Sequence, residues 1–251
     1  MSDAWGRLCR VVMLALALGV CVDRLPAMLE STFLYFPTHS KAATDLREWR
    51  AGGKLIGYSS SVASPRMVWL MFHGNAGQAS NRGYIRESLP GSDTVCIVEY
   101  PGYGQREGAP SMQSINAAAA EAYALLRARF PGVPIGVIGE SLGSGPASFL
   151  CSQPNPPARA VLIVPFDNLV SVASEHFPFL PVRLLMRDKW DNVAALAGYA
   201  GPLDIYGATY DRVIPVAHAR KLAQALPRAT FHEMPCGHND WSSRGHVKIG
   251  E

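Results

Sequence analysis

Charge is sparse in this sequence. Asp, Glu, Lys and Arg make up 17% of its 251 residues, and the formal net charge is +3. It has no run of Lys and Arg and no basic stripe interleaved with aromatics, so the electrostatic footprint of a nucleic-acid binder is missing. Cysteine is scarce too. Cys9, Cys21, Cys96, Cys151 and Cys236 form no Cys-x-x-Cys pair and no metal-type spacing, which leaves no metal site to expect. Cys96 lies in an apolar run and reads as a small core residue. Gly102-x-Gly104 is too short for a dinucleotide loop, and no cofactor is implied. No internal repeat or low-complexity linker divides the chain, which argues for one folded domain. Its 48% of apolar residues is a globular balance, at a length that can bury a substantial core.

The N-terminus lacks a full-length membrane span. Arg7 and Arg10 precede an uncharged run from Val11 to Val22, closed by Asp23 and Arg24. That run is shorter than the roughly 20 residues a span needs. A charged stretch before a short apolar one is the layout of a secretory signal or signal-anchor. Residues 1–30 are therefore expected to export the chain or attach it to a membrane, and residues 31–251 to form the folded domain. An N-terminal helix packed on the domain is the alternative.

What is present alternates short β-rich runs with helical stretches, the pattern of an α/β protein with a mostly parallel sheet. Met67–Phe72 is a continuous apolar run, as a strand buried on both faces should be. Thr94–Tyr100, Ile135–Gly139, Ala160–Val164, Leu203–Gly207 and Thr230–Met234 read as further strands, and Ser114–Arg129 as an alanine-rich helix stopped by Pro131-Gly132. Between the strands ending at Val164 and starting at Leu203 lies a Pro-punctuated, aromatic stretch. Residues 165–200 of it are expected to form a small cap.

Chemistry enters with Gly139-Glu140-Ser141-Leu142-Gly143, which follows an apolar strand and precedes a helix-compatible run. This Gly-x-Ser-x-Gly pattern is the nucleophile elbow of α/β-hydrolases: the serine sits on a strained strand-to-helix turn, and the glycines let neighbouring backbone pass. A serine hydroxyl needs a base to take its proton. Of seven histidines, His238 lies in the loop that follows the last strand, Pro235-Cys236-Gly237-His238. His232 lies within that strand and His218 within the helix starting near Pro215. His39, His176 and His246 are not at strand ends, and His73 suits a structural place beneath an oxyanion hole. The acid that orients the base should fall between serine and histidine in the chain. Asp211 does, after the strand ending at Gly207, whereas Asp204 is inside a strand and Asp167, Asp188 and Asp191 lie in the expected cap. Leu142 N–H and Asn75 N–H are the expected oxyanion donors, with Ala76 N–H the alternative to Asn75.

His73-Gly74-Asn75-Ala76-Gly77, Glu99-Tyr100-Pro101-Gly102-Tyr103-Gly104, the elbow, Asp211-Arg212-Val213-Ile214-Pro215 and Gly237-His238-Asn239-Asp240 occur in that order. Together with Leu34-Tyr35-Phe36-Pro37 and Asp188-Lys189-Trp190-Asp191-Asn192, they resemble the Bem46-like, serine-aminopeptidase-like branch of the α/β-hydrolases, over about Leu34 to Asp240. The resemblance implies an α/β-hydrolase fold and a Ser-His-Asp triad. In one respect the chain departs from it: Trp241–Glu251 is short and polar where the family carries a longer amphipathic helix, so thin cover of the last strand is expected.

The expected function is hydrolysis of a carboxylic ester or thioester, small-molecule or acyl-protein, through an acyl-enzyme. A serine-aminopeptidase-type peptidase and a catalytically silent membrane-tethered binding module are the other two readings. The bulky apolar cap residues Phe166, His176, Phe177, Pro178, Phe179, Leu180, Pro181, Leu184, Leu185, Met186 and Trp190 are expected either to pack on the sheet or to line an acyl pocket facing Ser141.

Overall fold

The computed structural model of the chain describes residues 34–40, 43–245 and 247–250. The Val11–Val22 run and His246 lie outside the described residues. Among those described, no helix is long and apolar enough to cross a membrane.

Among the described residues eight strands build one sheet: β1 (Arg47–Ala51), β2 (Lys54–Ser60), β3 (Val68–Phe72), β4 (Thr94–Val98), β5 (Ile135–Glu140), β6 (Arg159–Ile163), β7 (Leu203–Ala208) and β8 (Ala229–Met234). Their order is β1-β2-β4-β3-β5-β6-β7-β8. From β4 through β3 to β8 the neighbours are parallel. Only β1 and β2 run antiparallel to their neighbours. This hairpin has no long apolar run to announce it. Its signal is Gly52-Gly53 between Ala51 and Lys54: both glycines have positive φ, 55° and 79°, which a two-residue turn of the type I′ class requires.

The central strands are apolar throughout because both faces are covered. Alternate residues of β3 part to opposite sides, Val68, Leu70 and Phe72 joining one core layer and Trp69 and Met71 the other. The first layer receives α1 (Met112–Arg129), α2 (Ser144–Cys151), α3 (Leu169–His176), α5 (Asn192–Leu196) and α6 (Val216–Ala225). Helix α1 begins two residues before the predicted Ser114. Ser111 and Ser114 cap it reciprocally, each side chain accepting from the other's backbone N–H at 3.0 Å. The second layer has lighter cover: single-turn segments at Ala79–Asn81 and Gly83–Ser88, then α7 (Trp241–Arg244) and the tail.

That tail does more than its length suggests. Trp241, Val247 and Ile249 are buried, and Ile249 N–H donates to the Ser88 carbonyl at 2.9 Å. The last strand β8 is nevertheless thinly covered, with Met234 its only fully buried residue.

Candidate active site

The elbow is built where β5 meets α2. Ser141 has φ 52°, in the left-handed region, where a residue with a Cβ is strained by about 1–2 kcal/mol. The surroundings enforce that conformation. A Cβ on Gly143 would lie 2.1 Å from the Phe72 carbonyl oxygen, and one on Gly139 would lie 2.7 Å from the Gly143 carbonyl. The turn therefore passes against the end of β3 at a distance only glycine permits. Ser144 Oγ donates to the Ser141 carbonyl at 2.7 Å and accepts from Asn192 Nδ2 at 2.9 Å, tying α5 to the elbow.

Ser141, His238 and Asp211, three residues from separate strand ends, meet in one chain of hydrogen bonds. Asp211 Oδ1 accepts from Val213 and Ile214 N–H at 2.8 and 2.7 Å, which fixes the carboxylate in its loop. Its Oδ2 lies 2.6 Å from His238 Nδ1. A carboxylate only accepts, so Nδ1 carries the proton and Nε2 the lone pair. Ser141 Oγ then donates to Nε2 at 2.9 Å. Among the described histidines, His238 is the one hydrogen-bonded to the serine.

The loop after β3 lies over the serine and is held from beneath by the Glu99–Gly104 motif. Tyr100 Oη donates to the His73 carbonyl at 2.7 Å, and Tyr103 Oη donates to Asn75 Oδ1 at 2.9 Å. Phe36 N–H donates to the same Oδ1, and Asn75 Nδ2 donates to the Leu34 carbonyl. With its side chain thus engaged, Asn75 keeps a backbone N–H that donates to no acceptor among the described residues. His73 is fully buried, stacks on Tyr100 and donates from Nδ1 to the Gly74 carbonyl at 2.7 Å. It is structural, as its position in the sequence suggested. Glu140 is a hub that sequence reasoning passed over. Its carboxylate accepts from Gly74 N–H, Tyr84 Oη and Trp241 Nε1 at 3.2–3.3 Å and faces Arg82 at 3.3 Å. No spacing rule marks these contacts, since they join four segments distant in sequence.

A second carboxylate–imidazole pair is present, built from residues weighed separately in the sequence. His218 Nδ1 lies 2.6 Å from Asp167 Oδ1, Lys221 Nζ 2.5 Å from Asp167 Oδ2, and His218 Nε2 3.3 Å from Glu175. The hydrogen bond to Asp167 raises the His218 pKa, with burial opposing it. Burial pushes the Asp167 carboxyl up, but His218 and Lys221 outweigh it and hold it at about 2. Asp167 thus adds stability that is lost as pH falls toward that value. His218 adds stability that is complete below its unfolded pKa and is lost as pH rises through its raised folded one. Melting curves from weakly acidic to alkaline pH should therefore show a falling midpoint, and His218→Gln should flatten that slope. An unchanged slope in the variant would assign it to other groups.

Ser141 forms the floor of a pocket of about 470 Å³. Its walls are Leu142, Phe166, Leu169, Val172, Phe177, Leu180, Leu185, Met186 and Ile214, and among the described residues Asn75, Ser141 and His176 are the only polar side chains lining it. The expected cap residues thus divide. Phe166, His176, Phe177, Leu180, Leu185 and Met186 line the pocket, along with Val182 of α4 (Val182–Leu185). Trp190 packs instead against Gly145 and donates to Asn116 Oδ1 at 3.0 Å. Phe179 and Leu184 lie outside both core and pocket. Among the described residues, no group of three His, Cys, Asp or Glu side chains is placed to hold a metal ion. Burial pushes the Cys96 thiol up to about 12, consistent with its core position.

No family model matches the chain. An uncharacterised Mycobacterium tuberculosis protein, Rv2307c, is 33% identical to it over 196 residues, 76% of this chain and 69% of that one. The Arabidopsis thaliana α/β-hydrolase domain-containing protein WAV2 is 30% identical over 203 residues, 71% and 66% of the two chains. Mouse lysophosphatidylserine lipase ABHD12 is 29% identical over 197 residues, 70% of this chain and 50% of that protein. Among solved structures, the Pyrococcus furiosus esterase Pf2001 superposes with a TM-score of 0.64 at 14% identity, covering 82% of this chain and 91% of its own. With its sheet order, its elbow and these relatives, the chain belongs to the α/β-hydrolase superfamily.

Proposed function

We propose that the chain is a serine hydrolase that cleaves carboxylic esters or thioesters of apolar acyl groups through an acyl-enzyme. The observation that carries this reading is the hydrogen-bonded series Ser141–His238–Asp211, whose serine lines an apolar pocket. Ser141 Oγ attacks the acyl carbonyl carbon as His238 Nε2 takes its proton, and Asp211 stabilises the imidazolium. Leu142 and Asn75 N–H receive the negative charge that develops on the carbonyl oxygen. His238 returns the proton to the departing alcohol or thiol, then activates the water that releases the acid. The hydroxyls of Tyr100 and Tyr103 hold the Asn75 loop in place before substrate arrives. Tyr103→Phe should accordingly lower kcat about fivefold with KM little changed, the worth of one hydrogen bond. A matching rise in KM alone would point to substrate binding instead.

The pocket lining favours an acyl chain over a peptide end. Among the described residues no carboxylate lines it, so a substrate's α-amino cation finds no partner from them. The mouse relative's name, a lysophosphatidylserine lipase, supports a lipid ester as the substrate class. Active-site labelling with a fluorophosphonate, followed by a panel of p-nitrophenyl and thioester substrates, tests the reading. Each buried methylene is worth roughly 0.8 kcal/mol, about fourfold in kcat/KM. The rate constant should therefore climb from acetyl to a medium chain and then level, because the pocket is finite. Aminoacyl amides preferred over every simple ester would replace this reading with a peptidase. No labelling at all would leave a silent binding module.

A further inference from the structure

We propose that the rim of the pocket is a docking surface for an anionic lipid–water interface. Its role as the source of an ester substrate rests on the serine-hydrolase reading above. The pocket itself accounts for Phe177, Leu180, Leu185 and Met186, which line it. It does not account for Phe179 and Leu184. These two line nothing and are 97% and 83% exposed. Phe36, half exposed, is tethered through its N–H to the Asn75 side chain, and the exposed Val213 forms part of the pocket wall. Three separate chain segments thus bring large apolar side chains to solvent around one opening. A concentration of this kind marks an interaction surface rather than scattered exposure.

Charge selects the occupant. Arg183 and Lys189 are exposed in the same cap segment, and Arg212 beside Asp211 is exposed too. The one acid of residues 177–189, Asp188, accepts from Tyr35 Oη and from Met112 N–H and so is turned into the fold. An apolar centre with a basic edge is complementary to acyl chains beneath an anionic headgroup layer. An acyl chain leaving such a layer would pass from Phe179 and Leu184 into the pocket without crossing water.

The test uses the full-length chain, sedimented with phosphatidylcholine vesicles prepared with or without phosphatidylglycerol. Kinetics on a soluble p-nitrophenyl ester run in parallel. Phe179→Ser/Leu184→Ser should lower the vesicle partition coefficient by at least about tenfold, since both side chains would otherwise be buried in the acyl layer. Arg183→Gln/Lys189→Gln should remove the preference for phosphatidylglycerol, at about fivefold for each charge. Both variants should hydrolyse the soluble ester as the wild type does, because none of these four residues lines the pocket. The proposal fails if the serine variant partitions like the wild type, which would leave any binding to the N-terminal run. It also fails if neutral vesicles bind equally well, or if the wild-type chain ignores vesicles and self-associates through this face. A wild-type chain that partitions as expected but never cleaves the soluble ester would overturn the hydrolase reading and leave the docking surface standing.

Discussion

Ser141→Ala should lower ester turnover by about 10⁴-fold or more while the chain melts as the wild type does. The expected loss is that large because the three residues act as a unit: without the hydroxyl there is nothing for His238 to activate, and only binding and the oxyanion donors remain. The fold should tolerate the change. Among the described residues Ser141 Oγ is engaged only by His238 Nε2, and the left-handed conformation is imposed by the packing of Gly139 and Gly143 rather than by the hydroxyl. Steady-state kinetics beside a thermal melt checks both halves. Wild-type turnover in a pure sample would disprove the nucleophile assignment. Lost activity accompanied by lost folding would leave the role of the hydroxyl to Ser141→Cys, whose thiol should still be acylated.

Asp211→Asn is the second large effect, expected to cost about 10³- to 10⁴-fold in kcat. The substitution is nearly isosteric. The amide oxygen can still accept from Val213 and Ile214 N–H, which leaves the loop in place. The amide nitrogen then faces His238 Nδ1, and a donor cannot pair with a donor. The imidazole must switch tautomer, placing its proton on Nε2, where it can no longer take the one from Ser141. Slow fluorophosphonate labelling should persist in this variant, since the nucleophile remains in its elbow. If Asp211→Asn kept full turnover and Asp167→Asn did not, the acid would have to be sought at the His218 pair. The structure makes the two carboxylates distinguishable by partner: Asp211 reaches the histidine that touches Ser141, and Asp167 reaches Lys221 and a histidine tied to Glu175.

The parallel core was legible in the sequence because each central strand is buried on both faces and so reads as an unbroken apolar run, as Met67–Phe72 does. Strand ends were less so. Thr94–Tyr100 was expected as strand, yet β4 stops at Val98, because Glu99 turns inward to accept from Ala79 N–H and Tyr100 to reach the His73 carbonyl. The N-terminal hairpin is not legible because β1 is mostly charged, β2 has only Leu55 and Ile56 as an aliphatic pair, and the Gly52-Gly53 turn is the one mark of it.

By itself the sequence determined which backbone must bend at Ser141, and which single residues follow the strands that end at Ala208 and Met234. Those are consequences of local sterics and chain order, and both are written in consecutive residues. Only the tertiary structure decided which carboxylate faces which histidine, and that Glu140, Tyr100 and Tyr103 hold the loop over the serine. It also separated cap residues that make the pocket from those left in solvent. Each of these depends on distances between segments tens of residues apart. A hydrogen bond of 2.6 Å between residues 211 and 238, or between 167 and 218, leaves no period or spacing in the chain to reveal it.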